Sequence, residues 1–144
     1  MQLRPLAEGD LEFVRLLRNA NRRFFFTDAE ISSEQQRRWF ATLPAKPIDF
    51  YIIENDGAAV GTISATRADG WVEIGNLLLN PDARGQGLMR RAVEELTAQP
   101  GRYFSAVKTD NTKSRAVFEA TGFTVAATGD VVRYEKIIGG ASGA

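Results

Sequence analysis

The chain has 144 residues, with 18 basic and 18 acidic side chains and a net charge of zero. That length suits one domain with an ordinary core, and the charge balance gives no global attraction to nucleic acid or an anionic membrane. The absence of cysteine and histidine excludes disulfides, thiolate nucleophiles and histidine bases. It also leaves only oxygen ligands for a metal, and no carboxylate cluster has a metal-site pattern, so none is expected.

Residues 2–6 read as a short edge strand closed by Pro5. Asp10 is placed to cap a helix over residues 11–19, with Leu11, Val14, Leu17 and Phe13 on its buried face. The aromatic and basic loop Arg22-Arg23-Phe24-Phe25-Phe26-Thr27-Asp28 follows. Ser32 or Ser33 then starts a second helix to about Leu43, with Ser33 and Gln36 spaced as a capping box. From Ile48 the period changes to two. Ile48–Glu54 reads as a strand, Asn55-Asp56-Gly57 as a turn and Ala59–Ala65 as its return. A turn at Asp69-Gly70 leads to the strand Trp71–Leu79. Gly75 and Asn76, in the middle of that strand, weaken regular pairing and predict a bulge. A helix over residues 87–98, the strand Tyr103–Val107, a helix over Asn111–Thr121 and a strand pair Phe123–Ala127 and Val131–Ile138 complete the domain. The expectation is one domain over 1–138 and a flexible Gly/Ala/Ser tail over 139–144. The order β-α-α-β-β-β-α-β-α-β-β is a mixed α/β (α+β) arrangement, with a mostly antiparallel twisted sheet of about seven strands and four helices on its two faces. Met1-Gln2-Leu3-Arg4-Pro5 does not read as a signal peptide, and no apolar run approaches the ~20 residues of a membrane span. A cytoplasmic protein is expected.

The most informative stretch is Leu77–Val93. An apolar strand runs through Asn80-Pro81-Asp82-Ala83 into Arg84-Gly85-Gln86-Gly87 and then a helix. Free backbone N–H groups at a helix start attract anions. Gly85 and Gly87 have no side chain to hold a ligand away. Arg84, Arg90 and Arg91 crowd the same end with no acid between residues 83 and 93. Three cations there oppose the helix dipole and make sense beside a polyanion. The loop reads as a diphosphate site. It lacks the Gly-Lys-Ser/Thr ending of a P-loop.

The element order and two segments resemble the GCN5-related N-acetyltransferase (GNAT) superfamily. Arg84-Gly85-Gln86-Gly87-Leu88-Met89 is similar to that family's Arg-Gly-x-Gly-x-Gly/Ala acetyl-CoA loop. Asn111 through Phe118 to Gly122-Phe123 is similar to its Asn…Ala…Tyr…Gly-Phe segment. Asp82, Met89 and Phe118 depart from the family pattern. Phe118 stands where many members carry a Tyr that resembles the general acid for the leaving thiolate. The resemblance implies acetyl-CoA as cosubstrate and no metal. It implies cofactor contacts at Leu77, Leu78, Leu79, Arg84, Gly85, Gln86, Gly87, Leu88, Met89, Arg90, Asn111, Ser114 and Phe118. It also implies splayed fourth and fifth strands, with the backbone at Leu79 meeting the thioester oxygen.

The implied reaction is direct attack of a primary amine on the thioester, with no acyl-enzyme. Glu73, inside an otherwise apolar strand, is the candidate base, since a buried unpaired carboxylate is costly. A structural ion pair with an Arg, or simple exposure on one side of the strand, is the competing explanation. Arg22, Arg23, Phe24 and Phe26 are candidate acceptor contacts, with Asn76. The alternative is that the Phe residues enter the core and the Arg residues are solvated. Leu17-Arg18-Asn19 with Ile31–Phe40 looks most like the branch acting on nucleotide-linked amino sugars. The expected partner is a small-molecule amine, with the protein a monomer or homodimer. A protein N-terminal or lysine acetyltransferase and a non-catalytic acyl-CoA-binding module are the competing functions.

Overall fold

A computed structural model describes residues 1–139. Of the expected tail, Gly139 is exposed outside any strand, and residues 140–144 lie outside the described residues. The strands are β1 (Gln2–Pro5), β2 (Ile48–Asn55), β3 (Ala58–Ala68), β4 (Trp71–Leu79), β5 (Gly101–Lys108), β6 (Thr124–Ala127) and β7 (Val131–Ile138). The helices are α1 (Leu11–Ala20), α2 (Ser33–Thr42), α3 (Leu88–Leu96) and α4 (Thr112–Ala120). The sheet order is β1-β2-β3-β4-β5-β7-β6. Every neighbouring pair is antiparallel except β4 with β5. This is the expected mixed architecture. Among the described residues no helix is long and apolar enough to cross a membrane.

Each sheet face has its own core. On one face Ile53, Ile63 and Ile74 pack with Ala92 and Val93 of α3 and with Phe118 of α4. On the other, Phe50 and Ile52 pack with Val14 of α1, flanked by Trp39 of α2. Leu11, Val14 and Leu17 are buried, as the helical period requires.

Two caps differ from expectation. Asp10 precedes α1, but its carboxylate takes Arg4 at 2.7 and 2.8 Å and the Ala7 amide at 2.8 Å instead of the helix's own amides. The guanidinium holds the Asp10 carboxyl below its ordinary pKa. In α2 the capping box is Ser32 with Gln35, one residue earlier than Ser33 with Gln36. The Gln35 amide donates to Ser32 Oγ at 3.1 Å, and the Ser32 amide to Gln35 Oε1 at 2.8 Å. Ser33 is thereby free to donate to Glu12 at 3.0 Å. Gln36 turns inward, 3% exposed.

Phe118 is 1% exposed and packs edge-on against Phe123 (5.0 Å) and stacked on Tyr134 (5.7 Å). It ties α4 to β7. Phe118→Ala is expected to destabilise the fold by about 3–5 kcal/mol, read as a lower midpoint in urea unfolding.

Candidate active site

The site begins with an irregularity in β4. Thr62 pairs with Leu78 and Ser64 with Gly75, so two steps on β3 face three on β4. The extra residue is the predicted bulge. Asn76 takes φ 55°, a left-handed conformation that Asn tolerates better than most residues. Two side chains of β3 hold it: Thr62 Oγ1 donates to the Asn76 carbonyl at 2.6 Å, and Asn76 Nδ2 donates to Ser64 Oγ at 2.8 Å. Gly61 lets the strands close beside it, since a Cβ there would lie 2.3 Å from the Leu78 carbonyl oxygen.

A bulge bends its strand, and here the bend coincides with a gap. β4 and β5 pair only at Val72 with Tyr103 and Glu73 with Phe104. Past Glu73 they diverge, and the β5-facing edge of residues 74–79, Leu77, Leu78 and Leu79 included, has no ladder partner. This is the splay anticipated from the sequence.

At the end of β4 a 3-10 turn (Pro81–Ala83) leads into the glycine loop. Gly85 and Gly87 have φ 80° and 72°, and a Cβ on either would enter open space. None of the six amides from Gly85 to Arg90 has a hydrogen-bond partner among the described residues; the first bonded amide is Arg91, to the Gly87 carbonyl at 3.2 Å. Gly87 caps α3 without a side chain, and no acid occupies the first turn. Arg84, Arg90 and Arg91 are exposed around it, while Leu88 and Met89 are buried. Leu88 and Met89 therefore leave only their amides uncovered and anchor the helix with their side chains. A hydrogen bond to a charged group contributes about 1.5–3 kcal/mol, so such a row of donors favours a diphosphate strongly. Asn111 caps α4, its Oδ1 accepting from the Ser114 amide at 3.3 Å. The buried Phe118 offers almost no surface to a ligand.

On the opposite sheet face lies a cavity of about 420 Å³. Its apolar walls include Val14, Phe25, Ile31, Trp39, Phe50 and Leu78, and its polar members are Arg18, Gln35, Gln36 and Asn76. The segment 27–31, which brings Ile31 to the cavity, is fastened to α1 by side chains. Arg18 donates to the carbonyls of Ala29 (2.7 Å) and Thr27 (2.8 Å), and Asn19 exchanges two bonds of 2.9 Å with Ile31. Lys108 at the end of β5 donates to the Arg23 carbonyl at 2.7 Å, tying the loop across the splayed strands.

The other expected acceptor residues stand outside this lining. Arg22 lies 3.8 Å from Asp28 and 3.5 Å from Glu30. Arg23 stacks on Phe24 at 4.4 Å, and Phe26 is 65% exposed. Arg18 and Phe25, stacked at 4.6 Å, reach the cavity instead. Gly61 and Gln36 were also missed. A glycine inside a strand signals Gly61; Gln36 carries no sequence signal, because its orientation follows from where α2 begins.

Glu73 sits at the apex of the splay, half-buried, paired in register with Thr66 and Phe104. Burial raises its pKa above the ordinary carboxylate value, and Arg133 partly offsets this. Arg133 bonds Glu135 at 2.8 Å and stacks on Phe104 at 4.1 Å. The Glu73 carboxylate makes no hydrogen bond among the described residues and lies outside the cavity lining. Asn76 lies three residues further along the strand, about 10 Å away.

The chain matches the family model described as "Acetyltransferase (GNAT) domain" over residues 1–124. No curated protein sequence matches it. Among solved structures it is similar to a spermidine N-acetyltransferase from Vibrio cholerae in complex with CoA and spermine (TM-score 0.80, 18% identity, 95% of each chain covered). It is similar to a ribosomal-protein-alanine N-acetyltransferase from Brucella melitensis (TM-score 0.80, 18% identity, 96% of this chain and 100% of that one). It is also similar to an acetyltransferase from Thermus thermophilus (TM-score 0.79, 23% identity, 95% of this chain and 96% of that one). At these identities the likeness is one of fold.

Two substitutions test the geometry. Gly61→Ala drives a methyl into the Leu78 carbonyl and is expected to cost about 1–3 kcal/mol of stability, read by thermal melting, with turnover falling further than stability alone explains. Gly87→Ala puts a Cβ into the open space over the loop's bare amides and adds left-handed strain of about 1–2 kcal/mol. Calorimetry is expected to show acetyl-CoA binding weakened at least about tenfold.

Proposed function

The chain belongs to the acetyltransferase (GNAT) family, and from that premise we propose that it moves an acetyl group from acetyl-CoA to the primary amine of a small molecule by direct attack, with Glu73 as the base. The family's enzymes are acetyl-CoA-dependent N-acetyltransferases that need no metal. The observation that carries the reading is the row of unpartnered amides from Gly85 to Arg90, lying beside strands that open past Glu73. Those amides and Arg84, Arg90 and Arg91 would hold the diphosphate. Asn111 and Ser114 would border the pantetheine, and the free edge of Leu77, Leu78 and Leu79 would hold its amides.

When bound, acetyl-CoA supplies the activated acetyl group. The chain's residues do the rest. The backbone at Leu79 would meet the thioester oxygen as negative charge develops there. The cavity would orient the amine toward the gap. Glu73 would take the amine's proton through water, because it stands back from the cavity along β4. A raised pKa suits a base, since it brings the group nearer the working pH. No cysteine is present to carry an acyl group.

The fold does not choose the acceptor, since similar structures carry names as different as spermidine and ribosomal-protein-alanine acetyltransferase. A nucleotide-linked amino sugar would bring a diphosphate, and the cavity offers it one cation, Arg18.

Glu73→Gln is expected to lower kcat at least about 10²-fold while calorimetric acetyl-CoA affinity stays within error. Unchanged kcat would remove Glu73 from the mechanism. In the native enzyme kcat should fall as pH drops through the raised Glu73 pKa, and the variant should lose that acid limb. The stability effect has the opposite sense. Between the unfolded and folded pKa the native state holds more protons, so stability falls as pH rises. Glu73→Gln should therefore melt higher than the native protein near neutral pH, a gain that disappears in acid.

A further inference from the structure

The cavity's polar groups are unusual in sign. No acidic residue lines it. Gln35 has already given its side-chain oxygen to the Ser32 amide, so its NH2 is the group left over. Gln36 is 3% exposed and lines the cavity; its backbone amide bonds the Ser32 carbonyl at 3.0 Å, but its side-chain amide has no hydrogen-bond partner among the described residues. Among those residues no fully enclosed side-chain polar atom lacks a partner, so the Gln36 amide keeps its remaining exposure toward the cavity. A nearly buried amide without a partner is costly, and here the open space of the cavity is where a partner would stand. Arg18 is fixed by two loop carbonyls and by the Phe25 ring. Nearby carboxylates are engaged elsewhere: Glu12 with Arg15, and Asp28 and Glu30 with Arg22. The guanidinium is partly desolvated, and its fork has donors to spare. Asn76 points the other way. One N–H of its side-chain amide goes to Ser64, which fixes the amide and leaves its oxygen as an unpaired acceptor beside the strand gap.

We infer that the cavity selects a primary amine that carries a carboxylate on a compact apolar body, the chemistry of a free amino acid with an apolar side chain. Gln36 and Arg18 meet the carboxylate, Trp39 and Phe50 meet the apolar body, and Asn76 faces the amine. Gln36 is the specificity-determining residue. A polyamine is disfavoured because it would bring a second cation into a cavity of donors with no carboxylate to receive it. The inference rests on the acetyltransferase reading of the site.

The test measures CoA release by the full chain from acetyl-CoA with phenylalanine and leucine. Comparison acceptors are phenylalaninamide, phenethylamine, spermidine, glucosamine and a short peptide. The free amino acids are expected to exceed their carboxylate-free counterparts at least about tenfold in kcat/KM, the loss expected when a charge-assisted hydrogen bond goes. Gln36→Leu should raise the amino-acid KM by a similar factor, leaving kcat and the acetyl-CoA KM nearly unchanged. Gln36→Glu should shift preference toward diamines, which a merely structural role would not do. Equal or better turnover of phenethylamine, phenylalaninamide, spermidine, glucosamine or the peptide overturns the inference and leaves the acetyltransferase reading standing. If no amine is acetylated, that reading fails instead. Calorimetry of phenylalanine against CoA-loaded protein then decides the inference: binding that Gln36→Leu abolishes supports it, and no binding overturns it. Should both variants unfold, the acceptor comparison on the native chain decides alone.

Discussion

One extra residue in β4 organises the catalytic half of the molecule. A strand has a side-chain period of two, so a single insertion reverses which face every later residue meets. Before the bulge Val72 and Ile74 face the α3/α4 core, and Glu73 faces the other side. After it Leu77 and Leu79 pack against that same core, while Leu78 lines the cavity. Without Asn76 in its left-handed conformation, those leucines would exchange faces. The same insertion coincides with the end of β4–β5 pairing, so one local irregularity accompanies both the gap and the cavity wall.

Stability and function meet in how that irregularity is held. Thr62 and Ser64 are both almost fully buried and bond the bulge from the adjacent strand. Gly61 supplies the clearance. On the cavity side, Arg18 and Asn19 spend their hydrogen bonds on loop carbonyls and amides, so a segment without regular structure becomes a wall. Lys108 joins the start of the same loop, at the Arg23 carbonyl, to β5. The site is thus rigid where it must align groups. It is open where α3 begins, since charged side chains and bare amides are left for a ligand to satisfy. The helix is arranged against its own dipole: arginines stand in its first turn, and Glu94 and Glu95 stand later. That arrangement costs the free protein a little and favours an anion at the start.

Much of the domain was legible in the chain. The period-two runs, the turn glycines and the proline-bounded helices specified element types because each depends on neighbours in sequence. Gly75-Asn76 marked the bulge and Arg84–Gly87 the anion loop for the same reason. The acceptor side was less legible. The aromatic loop offered Arg22, Arg23, Phe24 and Phe26 as candidates, and neighbouring residues of that loop point in different directions. Phe25 turned inward and Phe26 outward.

The sequence by itself determined the order of elements, the bulge and the donor-rich loop, since backbone conformation and local charge are short-range properties. Only the tertiary structure decided which side chains share the cavity. Gln36 shows why. Whether it caps a helix or faces a pocket turns on a one-residue shift in the start of α2, about 100° around the helix axis. That shift leaves Ser33 to reach Glu12, 21 residues away, a contact that only the folded chain brings together.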